Sequence, residues 1–426
     1  MQILSVCGGK PLEGCVPVSG AKNSVLPILA ACTLCRGTCV LHNCPNISDV
    51  DDTLEILQSL GCRTARSGAA LTVDAGGLTG WKIAPGYAGR LRSSVLFLGA
   101  LLARTGQAQI ALPGGCPLGK RPVDLHMMAL QALGAQVWTD GTFLRCRAEQ
   151  LTGGTIRLPF PSVGATENAL LAAIGCAGRV RIENAAREPE IGDLVRFLRS
   201  AGAQIARQDG VLEIDGGTTL HGTTFTVMPD RIETATYLCA AAACGGDVTL
   251  ERTDGKTLLP VLDILEKSGC TITRSGDSLR LCSSGDLRAP ERIATAPYPG
   301  FPTDAQAIMM AALLRARGRT VFEETVFEDR FRHVAQLRRM GAAVFSAGRT
   351  ATLTGVSKLH GAEVGAEDLR GGAALVIAAL MAKGKSSVFG VKHIKRGYDN
   401  LDGKLQILGA DIKYVEIPEA SVYNIG

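Results

Sequence analysis

Six times along its 426 residues this chain repeats one event: a helix end meets a glycine turn and passes into a strand. The segments ILQSLGCRTARSG, ALQALGAQVWTDG, FLRSAGAQIARQDG, ILEKSGCTITRSG, QLRRMGAAVFSAG and KLQILGADIKYVE carry it. Their turn glycines, Gly61, Gly134, Gly202, Gly269, Gly341 and Gly409, stand 73, 68, 67, 72 and 68 residues apart. A second landmark keeps the same beat. Small-residue apolar segments such as SVLPILAACTLCRG, SSVLFLGALLARTG and AALVIAALMAKG end near Gly37, Gly106, Gly178, Gly246, Gly318 and Gly384, each before a short strand. Self-similarity at a fixed long period marks a supersecondary unit that cannot bury its apolar face alone. Six units of about 70 residues account for the whole chain, and each mixes helices with strands, an α/β (α+β) pattern.

The small-residue helices are apolar almost all round, which requires burial, whereas partners such as DDTLEILQSLG are amphipathic and face water. The expectation is therefore helices inside and sheets outside, with three units per domain. A seam falls at MPDRIETATY, giving one domain over 21–229 and a second from 1–20 plus 230–426. The length supports two large cores. No apolar run is long enough to span a bilayer, and MQILSVCGGKPLEG has neither a basic start nor a cleavage site, so the expected location is the cytoplasm, with reduced cysteines. With 45 basic against 40 acidic residues and only 4% aromatics, composition supports no nucleic-acid partner. No membrane partner is expected either, and oligomeric state stays open, with a monomer compatible.

The stretch LPGGCPLGKRPVDLH, from Leu112 to His126, is punctuated by Pro and Gly too densely to be helical. It exposes Cys116 beside Lys120 and Arg121, cations that favour a thiolate. It then enters a helix near Pro122, whose free N–H groups suit a phosphate. Most of the other 13 cysteines among the chain's 14 lie in apolar segments. Cys32 and Cys35 open with metal-ligand spacing, but Cys39 and Cys44 do not complete a matching pair, so no metal is expected.

These segments, with VSGAKNSVLPILAA, SVGATENALLAA, IENAAREPEI, PDRIET, PGFPTDAQA, ETVFEDRFRHV, EDLRGGAALV and HIKRGYDNLDGKL, together resemble the UDP-N-acetylglucosamine enolpyruvyl transferases from end to end. The resemblance implies a two-domain inside-out α/β barrel of six βαβαββ-like repeats, three per domain, with a ligand cleft between. It also implies transfer of the enolpyruvyl group of phosphoenolpyruvate to the sugar 3-hydroxyl with release of phosphate, the first committed step of peptidoglycan synthesis, without cofactor.

Residue by residue, Cys116 matches the proton donor to the methylene carbon and the target of fosfomycin. Asp304 matches the base for the attacking hydroxyl. Lys22 and Arg396 match catalytic phosphoenolpyruvate-side cations. Asn23, Arg92, Arg121, Pro122, Val123, Asp124, Leu125, Pro161, Ser162, Val163, Gly164, Val326, Arg330 and Arg370 match substrate contacts. Arginine suits such positions because its planar fork pairs carboxylate and phosphate oxygens bidentately. A plainer role for Asp304 is to cap the helix AQAIMMAALL. Pro117 and Leu118 depart from the family's Thr-Ile-like pair, Lys120 replaces a small residue, and Ser93 stands where alanine is usual. Three other readings are set against the first: a shikimate-pathway enolpyruvyl transferase, which lacks the PGGC loop; an RNA 3′-phosphate cyclase, whose histidine motif is missing; and a catalytically weak UDP-sugar-binding regulatory paralogue.

Overall fold

The computed structural model describes residues 1–88, 90–112 and 123–418. Among these, the repeats appear as six four-stranded sheets, each with a parallel pair of strands followed by an antiparallel pair, which in five of the six is a hairpin. One repeat shows the plan. The strand Thr152–Arg157 leads through the helix Val163–Ala173 to a parallel strand, Ala177–Glu183. The helix Pro189–Ser200 then delivers the hairpin Gln204–Gln208 and Val211–Asp215. Register follows the alternation of side chains: Ile156 lies opposite Ile182, Ile182 opposite Leu212 and Ile205 opposite Ile214. All five are buried, so one face of the sheet meets the helices while the other faces solvent.

All six turn glycines adopt positive φ, from 86° at Gly134 to 110° at Gly269. A side chain with a Cβ is strained there, which is why glycine recurs at the beat read from the sequence. The apolar helices are enclosed as expected: 12 of the 13 residues of Leu369–Met381 are buried. By contrast Ser48–Ser59 buries only Asp49, Val50, Thr53, Ile56 and Leu57, one stripe of its surface.

Contacts divide the described residues into two compact units, 20–112 with 123–228, and 1–19 with 229–418. Each has its own apolar core. In the first unit the short strand Thr224–Thr226 returns to pair in parallel with Thr38–His42, giving the opening repeat the strand it lacks in sequence. In the second unit Leu12–Pro17 pairs in parallel with Gly246–Glu251, while Gln2–Cys7 runs antiparallel to both Lys385–Phe389 and Asp411–Glu416. Each unit is therefore closed by pairings between distant segments. Among the described residues no helix is long and apolar enough to cross a membrane.

Candidate active site

In the second unit the candidate residues Asp304, Arg330 and Arg370 come together around the starts of the helices Thr303–Ala312 and Leu369–Met381. The helix Thr303–Ala312 has Pro302 as its N-cap and Asp304 in its first turn, so Asp304 is not the cap that its sequence position also allowed. Its carboxylate is held from both sides: Arg330 Nη2 donates to Oδ1 at 2.6 Å and Arg370 Nη2 to Oδ2 at 3.2 Å. Burial alone would raise the Asp304 pKa, but the Arg370 and Arg330 guanidiniums and their hydrogen bonds outweigh it and hold the carboxyl far below the usual carboxylate range. Asp304 is thus ionised at neutral pH while its side chain stays 27% exposed.

Both arginines are buried and fixed by their surroundings. Arg330 also donates to the Thr303 carbonyl at 3.3 Å and lies 5.3 Å from the Phe327 ring. Arg370 follows Asp368, whose side chain caps its helix by accepting from Arg370 N at 3.0 Å and Gly371 N at 2.9 Å. Its guanidinium stands 5.4 Å from the ring of Tyr398, whose hydroxyl is 2.8 Å from Thr236 Oγ1 on the helix Arg231–Cys244. Arg330 Nε and Arg370 Nη1 are buried and meet no partner among the described residues. Buried guanidinium donors without acceptors are costly, and both atoms have the chemistry to donate to an anion's oxygens. Arg396 is half-buried, two residues before Tyr398, and Val326 is half-buried on the turn after the strand Arg319–Glu323.

The first unit holds the other set. Lys22, the first residue of the helix Lys22–Cys32, is buried, with Nζ 2.7 Å from Asp49 Oδ2 at the start of the next helix. Asn23 is half-buried beside it. Ser24 donates to Asp193, which also accepts from Met228 N at 3.0 Å, so the turn that carries Lys22 is tied to the chain's return strand. Arg92 opens the helical turn Arg92–Leu96, and burial lowers its pKa.

Val123, Asp124 and Leu125 stand at the start of Asp124–Ala132, and Pro161, Ser162, Val163 and Gly164 at the start of Val163–Ala173. Ser162 caps the latter by accepting from Ala165 N at 3.4 Å. Two residues that sequence reasoning left unassigned join these starts. Asn168 Oδ1 accepts from Gly99 N at 2.6 Å, so its Nδ2 is the donor to His126 Nδ1 at 3.1 Å. Nδ1 is then the bare nitrogen, and the proton of neutral His126 sits on Nε2. Burial, with Arg92 nearby, lowers the His126 pKa to about 4, so the ring is neutral at pH 7. A Cβ at Gly164 would come within 3.1 Å of His126 Cε1, so this close approach of the two helix starts uses the glycine. Cys116, Arg121 and Pro122 lie outside the described residues.

Asp49, His126, Asn168 and Tyr398 carried no signal in sequence that set them apart. Asp49, for instance, reads as an ordinary acid in the first turn of an amphipathic helix. Cys32, Cys35, Cys39 and Cys44 are buried core residues, and burial pushes Cys44 up to about 12. Among the described residues no group of His, Cys, Asp and Glu is placed to hold a metal ion.

Six such repeats in two units are the fold that this chain shares with enolpyruvyl transferases. The chain matches the enolpyruvyl transferase NikO from Streptomyces tendae with a TM-score of 0.88 at 26% identity, covering 98% of this chain and 99% of that one. An EPSP synthase from Acinetobacter baumannii shares the fold at a TM-score of 0.75 and 20% identity, covering 98% and 100%. The model of the EPSP synthase (3-phosphoshikimate 1-carboxyvinyltransferase) family matches residues 6–405. Among relatives, a UDP-N-acetylglucosamine 1-carboxyvinyltransferase of Zymomonas mobilis is 46% identical over 97% of this chain and 100% of its own length. The enzyme named UDP-N-acetylglucosamine 1-carboxyvinyltransferase 2 in Caldanaerobacter subterraneus is 45% identical over 95% and 97%. The chain belongs to the carboxyvinyltransferase family, within its UDP-N-acetylglucosamine 1-carboxyvinyltransferase branch.

Proposed function

We propose that this chain transfers the enolpyruvyl group of phosphoenolpyruvate to the 3-hydroxyl of UDP-N-acetylglucosamine, releasing phosphate, as a step of peptidoglycan synthesis in the cytoplasm. The observation that carries the chemistry is Asp304, an ionised carboxylate gripped by two buried arginines, each with a donor that meets no partner among the described residues. An enzyme joining a hydroxyl to a phosphorylated carboxylate needs such a base beside fixed cations. Full-length relatives bearing that activity in their names give the substrate pair.

The hydroxyl oxygen attacks C2 of phosphoenolpyruvate, Asp304 takes the hydroxyl proton, and the Cys116 thiol delivers a proton to C3, leaving a tetrahedral ketal. Phosphate then leaves C2 while C3 loses a proton, which restores the double bond. A carboxylate pinned by two guanidiniums is a weak base. Substrate oxygens that draw on Arg330 Nε and Arg370 Nη1 share those charges and raise the basicity of Asp304 as the site fills. Lys22, aligned by Asp49, and Arg396 serve the phosphate and carboxylate. Asn23, Arg92, Arg121, Pro122, Val123, Asp124, Leu125, Pro161, Ser162, Val163, Gly164 and Val326 serve the nucleotide sugar. The assay is phosphate release from phosphoenolpyruvate with UDP-N-acetylglucosamine, with shikimate 3-phosphate, or with no acceptor. Release only with the nucleotide sugar is expected; release with shikimate 3-phosphate, or with neither acceptor, overturns the reading.

A further inference from the structure

The ETVFEDRF segment contributes Val326 and Arg330 to the site, yet its most connected side chain is Glu324, which no reaction step uses. Glu324 is 1% exposed. Its Oε1 accepts from Thr295 Oγ1 at 2.9 Å, Val326 N at 2.8 Å and Phe327 N at 3.0 Å, and its Oε2 accepts from Thr303 Oγ1 at 2.8 Å. The turn is fastened a second time through Thr325, whose N–H donates to Thr295 Oγ1 at 2.9 Å and whose hydroxyl donates to the Thr295 carbonyl at 2.6 Å. One buried carboxylate therefore gathers a strand end, the turn that bears Val326, and the first residue of the helix that bears Asp304.

Both ends of the Arg330–Asp304 contact descend from this point. On one side Glu324 holds the Phe327 amide, and the Phe327 ring backs the Arg330 guanidinium. On the other it holds Thr303, whose carbonyl accepts from Arg330 and whose neighbour is Asp304. A buried carboxylate with four donors is fully satisfied, so it behaves as a fixed node. A surface acid of ordinary helix-capping use would show neither this burial nor ties to three separate segments.

We propose that Glu324 is a positioning residue: it sets the distance between the Val326 turn and the Asp304–Arg330 pair, and so the placement of the sugar hydroxyl against its base. This rests on the transferase reading above. It predicts a split that a stabilising role alone does not produce, because the network holds Val326, assigned to the nucleotide sugar, and Asp304, assigned to its hydroxyl, whereas Lys22, assigned to phosphoenolpyruvate, is aligned by Asp49.

The test is steady-state kinetics of Glu324→Ala, Glu324→Gln and Thr303→Val, with calorimetric binding of UDP-N-acetylglucosamine to each. Glutamine keeps an acceptor for the two amides and can donate to Thr303 Oγ1, so it should hold the geometry. The expected result is a fall in kcat on the order of 10²-fold for Glu324→Ala, since displacement by about an ångström costs that much. The KM and Kd for the nucleotide sugar should rise about tenfold, with the KM for phosphoenolpyruvate within about threefold of the parent. Glu324→Gln should recover to within about fivefold, and Thr303→Val should show a smaller loss in the same direction.

Folded Glu324→Ala with parental constants, equal shifts in both KM values, or glutamine as poor as alanine overturns the inference. Should Glu324→Ala fail to fold, Thr303→Val decides alone, and parental kinetics there overturn it. If the parent releases no phosphate, the transferase reading fails by itself, and the nucleotide-sugar Kd values still judge Glu324.

Discussion

Asp304 is the residue on which the chemistry turns, and its surroundings dictate how to probe it. Alanine would leave Arg330 and Arg370 buried without their counter-charge, a change that costs stability as well as catalysis. Asparagine keeps the shape and an oxygen but cannot take a proton. Asp304→Asn should therefore lower kcat by on the order of 10²- to 10⁴-fold while the Kd for UDP-N-acetylglucosamine, read by calorimetry, moves by less than about tenfold. A parallel loss of binding would make Asp304 a ligand and not a base. Cys116 calls for a different readout, because its proposed thiol chemistry can be trapped. Cys116→Ser should resist time-dependent inactivation by fosfomycin, and continued inactivation of that variant would contradict the assignment. For Lys22 the partner is as informative as the residue. Asp49→Asn keeps a hydrogen-bond acceptor but removes the charge that aligns the ammonium. It should raise the KM for phosphoenolpyruvate several-fold with little change for the nucleotide sugar, a pattern that initial-rate measurements at varied concentrations of each substrate resolve.

At the scale of helices and strands, packing is tight enough for single methyl groups to matter. A Cβ at Gly99 would overlap the carbonyl oxygen of Asn168, where the helix Phe97–Thr105 crosses Val163–Ala173. Backbone cannot yield as a side-chain tip can, so Gly99→Ala should destabilise the first unit by roughly 1–3 kcal/mol or more, measurable as a lowered denaturation midpoint. The same elements show what sequence conveys and what it withholds. The six turns were legible because their backbone demands glycine at positive φ. The enclosed helices were legible because a segment apolar on every side has no other stable place. The closing strands were not. Thr224–Thr226 is three residues long, and its partner Thr38–His42 lies far away in sequence, so no local pattern announces the pairing. The candidate site divided in the same way. Asp304, Arg330 and Arg370 were named from motifs, and the structure brings them into one ion-paired group. Glu324 and Asn168 look like any polar residue until their several partners converge from separate segments.

Each unit of the molecule also encloses one histidine that folding keeps neutral. Burial, aided by Arg92, lowers the His126 pKa in the first unit to about 4. In the second unit burial, aided by Arg330 and opposed by Asp368, lowers His333 to about 4 as well. An unfolded histidine titrates near 6.5, so between pH 6.5 and 4 each ring in the unfolded chain binds a proton that the folded chain refuses, and each ring's contribution to stability falls as pH falls through that window. Asp304 has the same sign and a different range. Its depressed pKa contributes stability above the ordinary carboxylate pKa and loses it only in more acid solution, whereas burial raises the Glu233 pKa to about 7 and that of Glu167 well above the usual range, so these two carboxyls work against the histidines between pH 7 and 5. Each ring should account for on the order of 1–2 kcal/mol lost from pH 7 to pH 5. Guanidinium denaturation at the two pH values measures this in the parent, His126→Gln and His333→Gln. Two units with separate cores need not unfold together, so each transition is fitted alone. The expected outcome is that each substitution removes about that much acid sensitivity from its own unit and none from the other's. An unchanged pH dependence in either variant would show that the histidine of that unit titrates in the folded protein as it does in the unfolded chain.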